Sequence, residues 1–153
     1  MRLTLHTDYA LRTLIYLGIH TDHLTFIREV AGVYGISENH LVKIIHRLGQ
    51  AGFFKTVRGR NGGQRLGQPA ASILIDDVVR HDVVRHTEED MALVGCMQHA
   101  RIDAKSCILA DCCSLRGVLG KALDPFIAVL DHYTLADVIT DNERLRLRLP
   151  TMM

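Results

Sequence analysis

The sequence predicts a mainly α fold with a small β wing: a winged helix-turn-helix followed by a long C-terminal helix. Three observations predict it. Two short amphipathic segments meet at a lone glycine, Gly35; a basic, glycine-rich hairpin tip follows at Gly59–Gly63; and a broad apolar periodicity runs from Leu115 to Asp131. Two helices joined by a tight glycine turn are the helix-turn-helix pattern, and glycines with asparagine suit a hairpin tip that needs positive φ.

Each element follows in order. Thr7 is placed to cap a first helix running to about His20, with Asp8 in its first turn, where a negative charge opposes the helix dipole. Leu11, Leu14, Ile15 and Ile19 form its apolar stripe. After a polar connector, Thr21–Thr25, a second helix covers Ile27–Tyr34 and ends at Gly35, because glycine accepts the left-handed conformation of a tight helix terminus. Ser37 caps a third helix, Glu38–Ala51, with Leu41, Ile44, Ile45 and Leu48 facing inward and Gly52 stopping it. Phe53–Arg58 and Gln64–Leu66 read as the two strands of the wing.

Ile73–Ile75 alternates, and a helix is expected from Asp76. Here DVVRH repeats at once, at Asp77–His81 and Asp82–His86. A five-residue shift turns a helix face by about 140°, so both copies cannot present one stripe, and one reads as an insertion that lengthens or distorts the link. Gly95–Cys113 lacks sustained periodicity and is expected as a loop. Ser114 is placed to cap the long helix, whose apolar positions include Leu115, Val118, Leu119, Phe126, Val129 and Leu130. That stripe is broad for a lone surface helix and predicts a partner subunit. Pro125 removes a backbone hydrogen bond, so a kink is expected, or a second helix capped at Asp124–Pro125. Thr134–Thr140 is expected as a short helix. The tail RLRLRLPTMM is expected to be mobile, its Arg/Leu alternation allowing an edge strand. The expected organisation is 1–70 for the winged helix, 71–113 for a linker helix and cysteine-rich loop, 114–140 for the long and short C-terminal helices, and 141–153 for the tail.

Charge divides along the same line. Residues 1–70 hold nine Lys/Arg against four Asp/Glu, and the remainder nine against thirteen. A basic first half with an acidic second half suits a nucleic-acid reader joined to another function. No apolar run approaches the ~18 residues of a transmembrane helix, and the N-terminus has no signal-like apolar core. A cytoplasmic protein is expected, in which thiols stay reduced.

In a helix-turn-helix, side chains near the start of the second helix enter the major groove. Here these are Glu38, Asn39, His40 and Lys43. Asparagine reads adenine and lysine reads guanine. Arg58, Arg60 and Asn61 on the wing are expected at phosphates or an adjacent minor groove.

All four cysteines crowd together: Cys96, Cys107, Cys112 and Cys113. Their chemistry has three readings. They are small buried hydrophobes, a redox group in which the vicinal Cys112–Cys113 pair strains an ordinary disulfide, or thiolate ligands of a metal or iron–sulfur cluster. The gaps of ten, four and none do not match the paired knuckles of a structural zinc site. The nine histidines form no ligand spacing; His99, inside the cysteine loop, is kept as a reserve ligand.

The segments MRLTLHTDYALR, YGISENHLVKIIHRLGQAG, VRGRNGGQRLG, ALVGC and CSLRGVLGKALDPFIAVLDHYTLADV resemble the iron–sulfur winged-helix transcriptional repressors over nearly the whole chain. The resemblance implies a homodimer whose iron–sulfur cluster sits between the link helix and the dimerisation helix on three cysteines. Aligned on CSLRG, these fall on Cys113, on Cys107 and on Cys96. The branch that regulates cluster assembly has a histidine three residues after the last cysteine; here that residue is Arg116, which cannot ligate. The body, with TDYALR, VRGRNGG and DHYTLAD, looks more like the nitric-oxide-sensing branch. Some members of that branch take an aspartate from the first helix of the other subunit as fourth ligand, and Asp8 stands at that place. Two departures stand out: the long gap between Cys96 and Cys107, and the extra Cys112, a reserve ligand.

The resemblance thus implies a homodimeric repressor on a palindromic operator, with nitric oxide as its signal and a [4Fe–4S] cluster preferred over [2Fe–2S]. An iron-free thiol-switch regulator is the alternative. A cluster-bearing electron carrier is a weaker one, since it leaves the wing unexplained. No nucleophile–base pair, catalytic carboxylate pair or cofactor-binding glycine fingerprint argues for an enzyme.

Overall fold

The computed structural model describes residues 3–60, 62–80, 93–94, 97, 107–109 and 112–148. Helix α1 (Leu5–Ile19) is followed by α2 (Ile27–Tyr34) and α3 (Glu38–Gln50), then by strands β1 (Phe54–Val57) and β2 (Gly63–Leu66). A 3-10 turn at Ala70–Ser72 leads into helix α4, described over 75–80. The long helix α5 (Ser114–Asp131) and a terminal helix α6 (Asp141–Arg148) complete the chain.

Helix α1 is the centre of the packing. Ala10, Leu14, Leu17 and Ile19 are fully buried, against Leu41, Ile44 and Leu48 of α3 and Val30 of α2. The buried face is therefore rotated from the expected one: Leu11 and Ile15 are only partly buried, while Leu17 is core. The four inward positions expected of α3 are all buried. The cap of α1 also moves. Thr4, not Thr7, accepts the first-turn hydrogen bond, from the Thr7 N–H at 3.1 Å, and Thr7 is itself buried. The earlier threonine wins because its backbone is extended, as a cap requires.

Gly35 closes α2 with φ 64°, and the Ile36 N–H returns to the Ala31 carbonyl at 3.0 Å. That is the left-handed turn expected between the two helices. Ser37 is the cap residue of α3, although its hydroxyl makes no capping hydrogen bond. The wing pairs antiparallel in the register Phe54↔Leu66, Lys55↔Arg65, Thr56↔Gln64 and Val57↔Gly63. A third segment pins it: Thr25 and Gln64 exchange backbone hydrogen bonds of 3.0 and 2.7 Å. The wing is thus tied to the connector that leads into α2, which fixes its position beside the reader helices.

Helix α4 begins at residue 75, one residue before the expected start. The second copy of the DVVRH repeat lies outside the described residues. Helix α5 runs unbroken through Pro125, so no separate helix starts at Asp124. Its cap residue is Cys113 rather than Ser114, which is already helical. Among its residues only Ile127 is buried; Leu115, Val118 and Val129 are 59%, 61% and 56% exposed.

The segment after α5 is a run of turns rather than the expected helix at Thr134–Thr140. The Asp137 carboxylate accepts from both the N–H and the hydroxyl of Thr134 at 2.7 Å, which closes the chain into a turn. Leu135 donates its N–H to Ile73 O at 2.7 Å, and Ile75 donates to Tyr133 O at 2.9 Å, stitching the end of α5 to the start of α4. Ile139 packs onto Gly18 of α1, where a side chain on the glycine would leave only 2.4 Å. The tail is not an edge strand. It is helical over Asp141–Arg148, with Thr140 and Glu143 bonded across the first turn and Leu147 against the core. Pairing of these capping groups outweighs the Arg/Leu alternation. Residues 149–153 lie outside the described residues. Among the described residues no helix is long and apolar enough to cross a membrane.

Candidate nucleic-acid interface and cysteine site

The reader surface is built by burial. Leu41, Ile44, Ile45 and Leu48 lock one side of α3 into the core, so Glu38, Asn39, His40 and Lys43 are left exposed on the other. Arg58 and Arg60 are exposed at the wing tip, and Asn61 lies outside the described residues. A cleft of ≈ 440 Å³ separates α3 from the wing, lined by Phe26, Arg28, Glu38, Arg58, Gly62 and Gln64 among others. Of the residues expected from the sequence, Glu38 and Arg58 line this cleft, whereas Asn39, His40, Lys43 and Arg60 do not.

Charge pairing divides the arginines. Arg12 is bound to Asp8 and Arg80 to Asp76. Among the described residues, Arg28, Lys43, Arg58 and Arg60 form no ion pair. Arg28 and Arg58 line the same cleft, and unpaired cations are what a polyanion needs. Arg28 and Phe26 were not among the sequence candidates. The available signal was a basic residue in the first turn of the first reader helix.

Three of the cysteines are described. Cys107 and Cys113 are half-buried, Cys112 is exposed, and all three are free thiols. Cys113 sits at the N-terminus of α5, where helix N–H groups and the dipole favour an anionic ligand. Cys96 and His99 lie outside the described residues. Among the described residues no three His, Cys, Asp or Glu side chains converge on one point. The donor chemistry nevertheless fits an iron–sulfur cluster, for which thiolates are the usual ligands.

Asp8 is held in the first turn of α1. Its Oδ1 accepts from Arg12 Nε at 2.9 Å and its Oδ2 lies 2.8 Å from Arg12 Nη2. This two-point pairing is the geometry in which a guanidinium matches a carboxylate. The same guanidinium lies 5.9 Å from the ring centroid of Tyr34, the last residue of α2. Burial pushes the Tyr34 hydroxyl up to about 12, opposed by Arg12, so it stays protonated. Asp8 thus connects, through one arginine, to the turn of the helix-turn-helix.

Comparison with known proteins places the chain in a family. The family model Rrf2, described as an iron-dependent transcriptional regulator, matches residues 3–141. The HTH-type transcriptional regulator NsrR of Bacillus licheniformis is 44% identical over 147 residues, covering 95% of this chain and 97% of the relative. The regulator of the same name from Geobacillus kaustophilus is also 44% identical over 147 residues, covering 95% of each. Two solved structures share the fold at TM-score 0.70 and 24% identity: T. potens IscR, covering 99% of this chain and 96% of that one, and B. subtilis CymR, the global cysteine regulator, covering 92% and 99%. With reader helices, a pinned wing and matches spanning nearly its whole length, the chain belongs to the Rrf2 family and is a DNA-binding transcriptional regulator, not an enzyme.

Proposed function

We propose that the chain is a homodimeric repressor that holds a palindromic operator while an iron–sulfur cluster is bound, and that nitric oxide is the signal that releases it. The observation that carries the reading is the group of free thiols Cys107, Cys112 and Cys113, ending at the N-terminus of α5, downstream of a reader in which Arg28, Lys43, Arg58 and Arg60 form no ion pair among the described residues. Cys96, Cys107 and Cys113 hold the cluster, [4Fe–4S] in preference to [2Fe–2S], with Asp8 of the partner subunit as fourth ligand. When bound, the cluster supplies an iron that reacts with nitric oxide.

The protein side of the switch rests on competition for Asp8. A carboxylate is a harder and more exchangeable ligand than three thiolates. Arg12 already grips both oxygens in this structure, so an Asp8 freed from iron has a partner at once. That exchange alters Arg12, which lies over Tyr34 at the end of α2. The recognition helices of a dimer must match the DNA repeat, so a small reorientation lowers affinity. The exposed apolar residues of α5 supply the surface for the second copy, and the expected place of action is the cytoplasm.

The test is purification without oxygen, a visible spectrum with iron and sulfide counts, and titration with nitric oxide during a DNA-binding assay. A brown protein that bleaches and releases its DNA supports the reading, with Cys113→Ser colourless and Cys112→Ser still brown. The exposed Cys112 beside Cys113 favours one alternative, a thiol switch without iron. A colourless protein after reconstitution, with DNA affinity that follows oxidant, overturns the cluster in favour of that switch.

A further inference from the structure

The cleft between α2, the start of α3 and the wing contains a cation that the family's reader helix and wing do not account for. Arg28 stands in the first turn of α2, exposed, with its guanidinium 4.8 Å from the ring centroid of Phe26. Stacking on that ring restrains a side chain that otherwise loses much rotamer freedom on binding. Phe26 is itself 38% exposed and lines the same cleft. Its backbone N–H donates to the Glu29 carboxylate at 3.3 Å, which holds the stacked pair at the mouth of α2.

The opposite wall is also fixed. Gln64 is tied to Thr25 by two backbone hydrogen bonds, and its side chain accepts from the Thr56 hydroxyl at 2.8 Å. Arg58 is carried on this wall, and Glu38 at the start of α3 stands in the same cleft. The acid and the two arginines form no ion pair with one another or with other described residues. A phosphate is drawn to the arginines and repelled by the carboxylate. The carboxylate is suited to accept from a cytosine amino group.

We infer that Arg28 takes a DNA backbone phosphate beside those that the wing holds, and so sets the register at which α3 meets the bases. The inference rests on the DNA-binding reading. Arg28 is a positioning residue: a phosphate contact fixes orientation and carries no sequence information by itself.

The experiment uses the full chain, loaded with its cluster without oxygen, and fluorescence anisotropy. The probes are a duplex selected by the wild-type protein from a random pool and a scrambled duplex of the same length. Arg28→Gln is expected to weaken binding to both duplexes, and to the selected duplex at least as much as to the scrambled one. Between 50 and 200 mM salt, wild type is expected to lose about 3.5-fold more affinity than Arg28→Gln, the share of one phosphate contact. Arg28→Lys keeps the charge, so its salt dependence should match wild type while its affinity falls less than that of Arg28→Gln. Circular dichroism of each variant checks folding, and Arg28→Ala takes the place of the glutamine variant if that one does not fold: unchanged affinity of the folded, uncharged variant for both duplexes overturns the inference. Equal salt slopes for wild type and Arg28→Gln overturn it also, as does a loss confined to the selected duplex, which means base reading. Failure of wild type itself to select any duplex is a different result and overturns the DNA-binding reading instead.

Discussion

Replacing Gly62 by alanine should open the wing without dismantling the core. A Cβ at Gly62 would lie 2.3 Å from the Val57 carbonyl oxygen, 2.9 Å from that of Gly59 and 3.1 Å from the Arg58 carbonyl carbon. All three are backbone atoms, so no side chain can swing aside. Ordinary contact begins near 3.4 Å, so Val57 O must recede by roughly 1 Å. That movement breaks the closing hydrogen bond from Gly62 N–H to Gly59 O, 2.9 Å long, and disturbs the last ladder pair, Val57↔Gly63. Forcing such a group into a packed place costs roughly 1–3 kcal/mol, or a fall of roughly 2–12 °C in Tm for a chain of this size. If Arg58 and Arg60 each hold a phosphate, as expected of the wing, displacing them removes two contacts, so between 50 and 200 mM salt wild type should lose about 12-fold more DNA affinity than the variant. Gly32→Ala is the control. Nothing lies within 4 Å of its Cβ, and it stands exposed inside α2, so it should gain roughly 0.5–1 kcal/mol. Thermal melts and anisotropy titrations measure both. A Gly62→Ala protein that melts and binds like wild type refutes the tight tip from which the magnitude is worked.

The core and the linker give two further tests. Leu14→Ala removes a fully buried side chain from the centre of α1 and should cost about 2.7–5 kcal/mol in a urea titration; a loss below about 1 kcal/mol would mean that α1 is not the packing centre. Asp76, buried at the start of α4, receives a hydrogen bond from Arg80 through one oxygen, and its Oδ1 has no partner among the described residues. Desolvation raises its pKa, with the Asp131 carboxyl adding to the shift and Arg80 opposing it. A raised carboxyl contributes stability that is complete below the unfolded value of about 3.8 and is lost as pH rises through the folded pKa. Asp76→Asn stays neutral, so it should be at least as stable as wild type at pH 7, with the advantage shrinking on acidification. Urea midpoints at several pH values decide it, and a wild type that is the more stable at pH 7 would mean that the Arg80 pair dominates.

Most of the reader was legible in the residues. The apolar period of α3, the glycine at the turn and the basic tip are local patterns, and each places a chain element with little help from its surroundings. The misjudged parts were decided by distant partners. Leu17 rather than Leu11 faces inward on α1, because α3 and β2 pack there. The Thr134–Thr140 segment looked helical, but the N–H groups of Leu135 and Ala136 are taken by the carbonyls of Ile73 and Ala70. The tail alternates like a strand, yet Thr140 and Glu143 cap a helix and Leu147 finds the core. At the site, Asp8 was visible as a first-turn acid, but its capture by Arg12 and the path to Tyr34 were not.

The sequence by itself determined the class of fold, the order of its elements and the identity of the side chains on the reader face. Helix period, glycine turns and charge are properties of neighbouring residues, so they survive without a third dimension. Only the tertiary structure decided which arginines are available. Arg12 and Arg80 are neutralised by aspartates one turn away, while Arg28 is stacked on Phe26 opposite a wing pinned through Thr25 and Gln64. Availability depends on rotamer, burial and the approach of chain segments far apart in sequence, and these are set when α1, α2 and the wing close on one core.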